Sequence, residues 1–310
     1  MKLAVLIDPL ESLHREKDTT LGLLLAAQKN KIAIFYMTLE DIFLYNNTPF
    51  SYSKKIHLTM HKKKWFEIQK TESLPLSFFD FIFMRKDPPV NSAYIHATQI
   101  LEFAENQGVR VINKPQSLRE YNEKMMIHFF EDLYPETLIS ARQEDIKNFI
   151  NTNKTIICKP LDEMGGKNIF KITKTDLNKN VILETLTNYG KQHIVCQRYL
   201  PEIKHGDKRI LMVKGKPLPY ALARLPKAGE TRANLASGGM AKGLKLSKRD
   251  HEICEILSPF LREKELDFVG LDVIGTYLTE INITSPTCVR ELEKIYKINF
   301  SKQILDALIL

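Results

Sequence analysis

The segment DVIGTYLTEIN places Asp272 on one side of a Gly275-Thr276 pair and Glu280 and Asn282 on the other. If that pair turns two antiparallel strands, Asp272 and Glu280 can point to one face. Glu280 and Asn282 must share a face, because strand side chains repeat every two residues. Two carboxylates and an amide oxygen suit a hard cation such as Mg²⁺, which keeps water and phosphate oxygens in its remaining positions. The 8 histidines show no HExxH or other zinc spacing. Two surface carboxylates on a hairpin are the plainer explanation, but the flanking sequences FVGLDVI and TEINI are apolar. A carboxylate flanked by core residues has to be paired or metal-bound.

Upstream lie candidates for phosphate contacts. Lys159 ends the apolar run TIICKP, so its ammonium projects from a rigid element, and Lys124 stands in NEK. A lysine is a compact point charge suited to phosphate oxygens, although one taken singly is more often a surface residue lying along its own apolar stem. Gly165 and Gly166, in LDEMGGKNIF, would let backbone N–H groups approach a phosphate; an ordinary strand turn explains the pair equally well. Neither GxxxxGK[ST] nor GxGxxG is present. Arg209 and Arg224 lie in neighbouring β segments, DKRILMV and YALARLP. Separately they read as surface salt-bridge partners. Aimed together at a site holding carboxylate and phosphate, their guanidinium forks would stabilise charge moving from one to the other.

Such groups need rigid elements to hold them. A chain of 310 residues, 44% hydrophobic and 26% charged with 13 Gly and 14 Pro, has enough for two or three domains sharing faces and is neither collagen-like nor disordered. Cys158, Cys196, Cys254 and Cys288 have no short pairing interval and read as buried reduced thiols. The apolar start LAVLI runs into Asp8 and Pro9 and reads as a strand, not a secretory segment. LGLLLAA is followed by Gln28 and Lys29, well short of a membrane span. A cytoplasmic protein with no membrane partner is expected. The net charge of +8 attracts anions of every kind without choosing among them. The dense basic run HKKKWF reads as a solvated face, and with no zinc-finger spacing or RNP aromatic string beside it no nucleic-acid partner is expected.

Along residues 1–113 strand and helix signals alternate: KLAVLI, a helical stripe from Thr19 to Lys29, IAIFYM, FDFIFM, the helical YIHATQILEFAEN and then VRVIN. That alternation argues for a mostly parallel sheet. Residues 45–75 are polar and irregular and suit an edge hairpin, with a place at a subunit interface open to it. A boundary is expected at 115–122, with a new helical pattern from about Asn122. Beyond it come strands joined by hairpins, TIICKP, NIFKIT, HIVCQRYL, DKRILMVKGKP and LPYALARLP, with Lys214-Gly215 as a tight turn. Residues 226–243 have no apolar periodicity and read as a long exposed loop. A helix from Ser247 to Lys264, the strands FVGLDVIG and YLTEINI, and closing helices complete the chain.

A lysine before a small sheet, a lysine at a strand end followed by a Gly-rich turn, a QRYL hinge, two arginines and a D...EIN hairpin, in this order, resemble the ATP-grasp ligases. Within them the chain is most similar to the bacterial glutathione synthetases. The likeness is carried by MRKDPP (84–89), NKPQSLRE and NEK (within 113–124), PETL (135–138), KPLDEMGG (159–166), GDKR (206–209), GETRANLASGG (229–239), FVGLD (268–272) and TEINITSPTCVRE (279–291). The resemblance implies an α/β (α+β) chain, an ATP-grasp fold preceded by a parallel-sheet α/β amino-terminal domain. Residues 1–121 would be the substrate-binding domain, 122–200 the small (lid) subdomain, and 201–310 the large subdomain with a flexible loop at 226–243. It also implies ATP-dependent ligation of γ-glutamylcysteine and glycine through an acyl phosphate, giving glutathione, ADP and phosphate, in a homotetramer. Another ATP-grasp carboxylate-amine ligase with a different dipeptide or amino-acid substrate stays open. A basic nucleic-acid-binding protein would leave the carboxylate hairpin without purpose.

Position by position, the resemblance implies that Lys124, Lys159, Gly165 and Gly166 contact ATP phosphates. The main chain around Gln197, Tyr199 and Leu200 would receive adenine, and Asp207 would hold the ribose. Asp272, Glu280 and Asn282 would hold two Mg²⁺, with Mn²⁺ as a substitute. Arg209, Arg224 and Arg232 would be the catalytic arginines, and Asp18, Arg85, Ser285 and Thr287 would hold the peptide. Glu163 departs from the pattern, standing where the phosphate loop usually has glycine, and Ala228 and Ala233 replace loop glycines. A carboxylate added near phosphates is unfavourable unless it faces solvent.

Overall fold

The computed structural model describes residues 1–59, 61, 64–227 and 240–309. The first part of the chain runs β1 (Lys2–Leu6), α1 (Thr19–Lys29), β2 (Ala33–Met37), β3 (Ile42–Tyr45), β4 (Thr48–Leu58), β5 (Phe66–Pro75), β6 (Phe81–Met84), α2 (Ser92–Asn106) and β7 (Arg110–Ile112). The sheet order is β3-β4-β2-β1-β6-β7, with β5 paired to β4. Strands β2, β1, β6 and β7 are mutually parallel. Leu3 to Leu6 are all fully buried, so β1 beyond Lys2 is uniformly apolar, as a strand covered on both faces must be. Residues 45–75 form the expected hairpin, β4 against β5, at one side of this sheet. His61, Lys64 and Trp65 of HKKKWF lie between the two strands and Phe66 begins β5, while Lys62 and Lys63 lie outside the described residues. Because β1 and β6 are parallel neighbours, their carboxyl ends deliver Asp8 and the Arg85–Asp87 segment to one edge, where open parallel sheets bind ligands.

The middle of the chain runs α3 (Pro115–Glu120), β8 (Thr137–Ser140), α4 (Gln143–Asn153), β9 (Thr155–Pro160), β10 (Phe170–Thr173), α5 (Lys179–Leu186) and β11 (Ile194–Arg198). The strands form an antiparallel sheet in the order β10-β9-β11-β8. Ile146, Ile150 and Leu183 of its two helices bury against Ile156, Ile172 and Ile194. Two expectations are corrected here. The helical pattern placed at Asn122 is only a four-residue 3-10 turn, Met126–Phe129, and the helix lies before it. Pro115 begins that helix, at a position where no N–H is needed. Helices α4 and α5 interrupt what reads as strands and hairpins; the polar QEDIKNFINTN shows its helical period only at Ile146, Phe149 and Ile150.

The last part runs β12 (Asp207–Val213), β13 (Lys216–Leu225), β14 (Met240–Lys245), α6 (Lys248–Glu263), β15 (Phe268–Ile274), β16 (Tyr277–Asn282), α7 (Val289–Tyr296) and α8 (Phe300–Ile309). The sheet order is β14-β13-β12-β15-β16. Lys214 and Gly215 both have positive φ, +47° and +74°, the turn demanded between β12 and β13. The loop expected over 226–243 is shorter at its far end, since Met240 to Gly243 pair with β13. Backbone pairing holds that strand, and its exposed side chains give no apolar signal. Helix α6 opens on a capping box of Ser247 and Asp250. Helices α7 and α8 return to α1, so Val289, Phe300, Ile304 and Leu308 share one core with Leu3, Leu24, Leu211 and Phe268. Among the described residues no helix is long and apolar enough to cross a membrane.

Candidate active site

Register does most of the assembly. Asp272 on β15 is paired with Arg209 on β12 and with Glu280 on β16. On the other side of β12, Asp207 is paired with Arg224 of β13. Side chains directly opposite on antiparallel strands share a face, and those two apart on one strand share it too, so Asp207, Arg209, Arg224, Asp272, Glu280 and Asn282 all rise from one surface. Arg209 donates from Nε to Asp272 Oδ1 at 2.5 Å and from Nη2 to Asp272 Oδ2 at 3.1 Å and Asn282 Oδ1 at 3.2 Å. Arg224 Nη2 lies 2.8 Å from Asp272 Oδ2 and also bonds Asp207.

Arg209, Arg224 and Asp272 are buried and Asp207 is half-buried, and their electrostatics follow from that. Burial pushes the Asp272 carboxyl up, but the Arg209 and Arg224 guanidiniums outweigh it and hold it well below the usual carboxylate range. Burial dominates for Asp207, whose carboxyl rises to about 6 with Arg224 opposing the rise. Asp207 Oδ1 has no hydrogen-bond partner among the described residues and stands ready for a donor such as a hydroxyl.

Two ammonium groups face Glu280. Lys124 Nζ lies 3.5 Å from Glu280 Oε1, and Lys159 Nζ lies 3.9 Å from Oε2. Lys124 also donates to the carbonyls of Leu161 at 3.2 Å and Glu163 at 2.7 Å, which ties the glycine-containing turn to the site. Burial pushes the Lys159 ammonium down, with Glu280 opposing. Gly165 and Gly166 have φ of +70° and +80°, a conformation that costs a glycine little. The Glu163 carboxylate is held by Asn168 Nδ2 at 3.0 Å, across the turn.

Apart from Asp207, Leu161 and Asn168, these groups line a cavity of about 620 Å³, together with Asp18, Ser285 and Thr287. Gln197, Tyr199, Leu200 and Asp207 line a smaller adjoining recess, of about 110 Å³, that shares Lys159, Asp272 and Glu280 with it. Arg85 is not brought in. It is 4% exposed, donating from Nε to Thr20 Oγ1 at 3.0 Å and from Nη2 to the Pro286 carbonyl at 2.8 Å. It thereby ties β6 and α1 to the loop that carries Ser285 and Thr287. Asp18 caps α1, accepting from Leu21 N at 2.7 Å, while lining the cavity. Arg232, Ala228 and Ala233 lie outside the described residues.

Sequence reasoning passed over Asp8, His14, Lys17, Asp87, Lys167 and Glu291, which also line the cavity. For Asp8 and Asp87 a signal existed, since each closely follows an apolar parallel strand at its carboxyl end. Lys86 pairs with Asp8 at 2.8 Å, joining those two ends.

Among the described residues no three His, Cys, Asp or Glu side chains gather as a metal-holding cluster. The available donor set is two carboxylates, Asp272 and Glu280, and the Asn282 amide oxygen, all oxygen and few in number. That fits a hard divalent cation that takes its remaining ligands from phosphate and water.

Residues 1–119 and 123–297 match the family profiles for the prokaryotic glutathione synthetase N-terminal domain and the prokaryotic glutathione synthetase ATP-grasp domain. The chain belongs to the prokaryotic glutathione synthetase family. The glutathione synthetase of Escherichia coli K12 is 44% identical over 308 residues, 99% of this chain and 98% of that one. That of Buchnera aphidicola subsp. Acyrthosiphon pisum is 47% identical over 306 residues, 99% and 96% of the two chains. Among solved structures, a D-cycloserine synthetase superposes with a TM-score of 0.67 at 13% identity, covering 100% of this chain and 99% of that one. A Chryseobacterium gregarium ATP-grasp ligase in complex with ADP and a leader and core peptide gives 0.63 at 17% identity, covering 99% and 96%. At those identities they show the shared ATP-grasp fold. As a glutathione synthetase family member the chain is an ATP-dependent ligase that uses ATP and a divalent metal.

Proposed function

We propose that this chain joins γ-glutamylcysteine to glycine at the expense of ATP. The observation that carries the reading is the single cavity in which Asp272 and Glu280, opposed in register, face two arginines and two lysines. The dipeptide's cysteinyl carboxylate attacks the γ-phosphorus, the bond to the bridging oxygen breaks, and ADP leaves. Glycine's amine then attacks the acyl carbon, inorganic phosphate departs with its oxygen, and the amine nitrogen loses a proton.

Phosphoryl transfer asks a protein mainly for positioning and charge neutralisation. Lys124, Lys159 and the Gly165-Gly166 turn hold phosphate oxygens; the main chain of Gln197, Tyr199 and Leu200 holds adenine, and Asp207 the ribose. Arg209 and Arg224 steady the transferring group and the acyl phosphate, and Arg232 is assigned with them on the resemblance alone. Asp272, Glu280 and Asn282 hold two Mg²⁺, or Mn²⁺ in their place. When bound, the metal neutralises charge between phosphate oxygens. Asp18, Ser285 and Thr287 hold the dipeptide, and Arg85 belongs to the same region through its bond to the Pro286 carbonyl. The amino-terminal unit is 1–121, the small subdomain 122–200 and the large one 201–310. The same reading includes a homotetramer in the cytoplasm.

Mass spectrometry of the product formed from ATP, γ-glutamylcysteine and glycine tests it. Glutathione with stoichiometric ADP is the expected result. ATP turnover only with another acid and amine pair would replace the substrates and keep the ligase chemistry.

A further inference from the structure

Strand β16 is the outer strand of its sheet and pairs on one edge with β15 alone. A single residue covers much of its other edge. Ile281 N donates to the main-chain carbonyl of Glu123 at 3.0 Å. Glu123 Oε1 accepts from Ile283 N at 2.8 Å, Thr284 N at 2.9 Å and Thr284 Oγ1 at 2.8 Å. In an antiparallel strand alternate residues turn their N–H groups to opposite edges. The outward groups of 281 and 283 therefore meet Glu123, while the side chains of Glu280 and Asn282 between and beside them face the cavity.

We propose that Glu123 is a positioning residue that sets the metal-holding strand against Lys124. It does not line the reaction cavity but faces a separate recess of about 240 Å³ behind Lys124. Consecutive residues thus do complementary work. Lys124 reaches Glu280 directly at 3.5 Å, and Glu123 holds the backbone that presents Glu280 and Asn282. The segment leading to Ser285 and Thr287 is fixed by the same carboxylate through Thr284. Without that acceptor three donors immediately after β16 lose their partner together, so the end of the strand that carries Asn282 loosens, although its ladder with β15 and the bond from Ile281 N to the Glu123 main-chain carbonyl remain.

The inference rests on the reading that Asp272, Glu280 and Asn282 hold a divalent metal. Its test is calorimetric titration of ATP with and without Mg²⁺ into the full chain, as wild type, Glu123→Ala, Glu123→Asp and Glu123→Gln, beside steady-state kinetics. Glu123→Ala should weaken Mg²⁺-dependent ATP binding by about 10- to 100-fold, the usual cost of losing a group that orients metal ligands. Its metal-free ATP binding should match wild type. Glu123→Gln keeps an Oε1 acceptor and should restore Mg²⁺-dependent binding, and Glu123→Asp, one methylene short, should fall between; that pair carries the test if the alanine variant does not fold. Equal weakening with and without Mg²⁺, or a glutamine variant as impaired as alanine, would overturn the proposal. A wild-type chain whose ATP binding ignores Mg²⁺ would overturn the metal reading itself, and this proposal with it.

Discussion

A Cβ built on Gly270 would stand 2.8 Å from Cδ of Arg209, closer than real Cβ contacts come. Arg209 lies flat across β15 because residue 270 has no side chain, and by lying flat it reaches both Asp272 and Asn282. Gly270 is itself paired with Asn282, whose Nδ2 donates to its carbonyl at 3.1 Å. A methyl group at 270 must lift the guanidinium off the site floor. Gly270→Ala is expected to lower kcat by at least about tenfold, within the range for disturbing a preorganised donor. Steady-state kinetics beside a melting curve checks this, and an unchanged kcat would show that Arg209 has another path to Asp272.

Arg209→Ala and Arg224→Ala remove those donors outright. Each should lower kcat by about 100- to 1000-fold if it stabilises charge developing on the transferred group. Near-normal turnover in both variants would strip the arginines of that role.

Asp272 is the shared partner of both guanidiniums, in a place with almost no solvent. Asp272→Ala leaves the buried Arg209 without a carboxylate, while Arg224 keeps Asp207, a change that typically costs about 3–5 kcal/mol. Urea unfolding of the variant should show that loss at neutral pH. As Asp272 is held below its usual range, its contribution is present above pH 3.8 and fades only as pH falls through the lower folded value.

Glu105, at the end of α2 and outside the cavity lining, offers the opposite sign. Burial raises its carboxyl to about 7, with Lys114 opposing. A raised carboxyl stabilises the folded state most below the unfolded value of 4.5, and the contribution is lost as pH rises through 7. Glu105→Gln should therefore raise Tm more at pH 8 than at pH 5. An equal shift at both pH values would mean that the group titrates normally.

Cys158 and Cys196 face each other across β9 and β11 with sulfurs 3.2 Å apart, both fully buried. The bond to Cys158 and burial push the Cys196 thiol up, which disfavours the reactive thiolate. Iodoacetamide should leave both unmodified in the native chain and label them after unfolding, as peptide mapping would reveal. Labelling of either in the native state would contradict the buried geometry.

Sequence alone determined the chemical inventory: which carboxylates, amide, lysines and arginines were available, and that Glu280 and Asn282 share a face. Those facts are legible because a two-residue period is a local property of the chain; Asp272 joins that face only through the register shift between the pairs Val273–Leu278 and Asp272–Glu280, which the folded hairpin decides. Local signals also sufficed for β1, α1, α6 and the β12–β13 turn, where apolar period, caps and Gly placement agree. Tertiary structure alone decided which strands lie beside which, and so that Arg209 opposes Asp272 from more than sixty residues away. It also spent Arg85 on Thr20 and Pro286, laid Glu123 along the open edge of β16, and turned Gly270 into clearance for an arginine. None of these has a sequence signal, because each is a close approach between distant segments that only the packing of the complete core brings into contact.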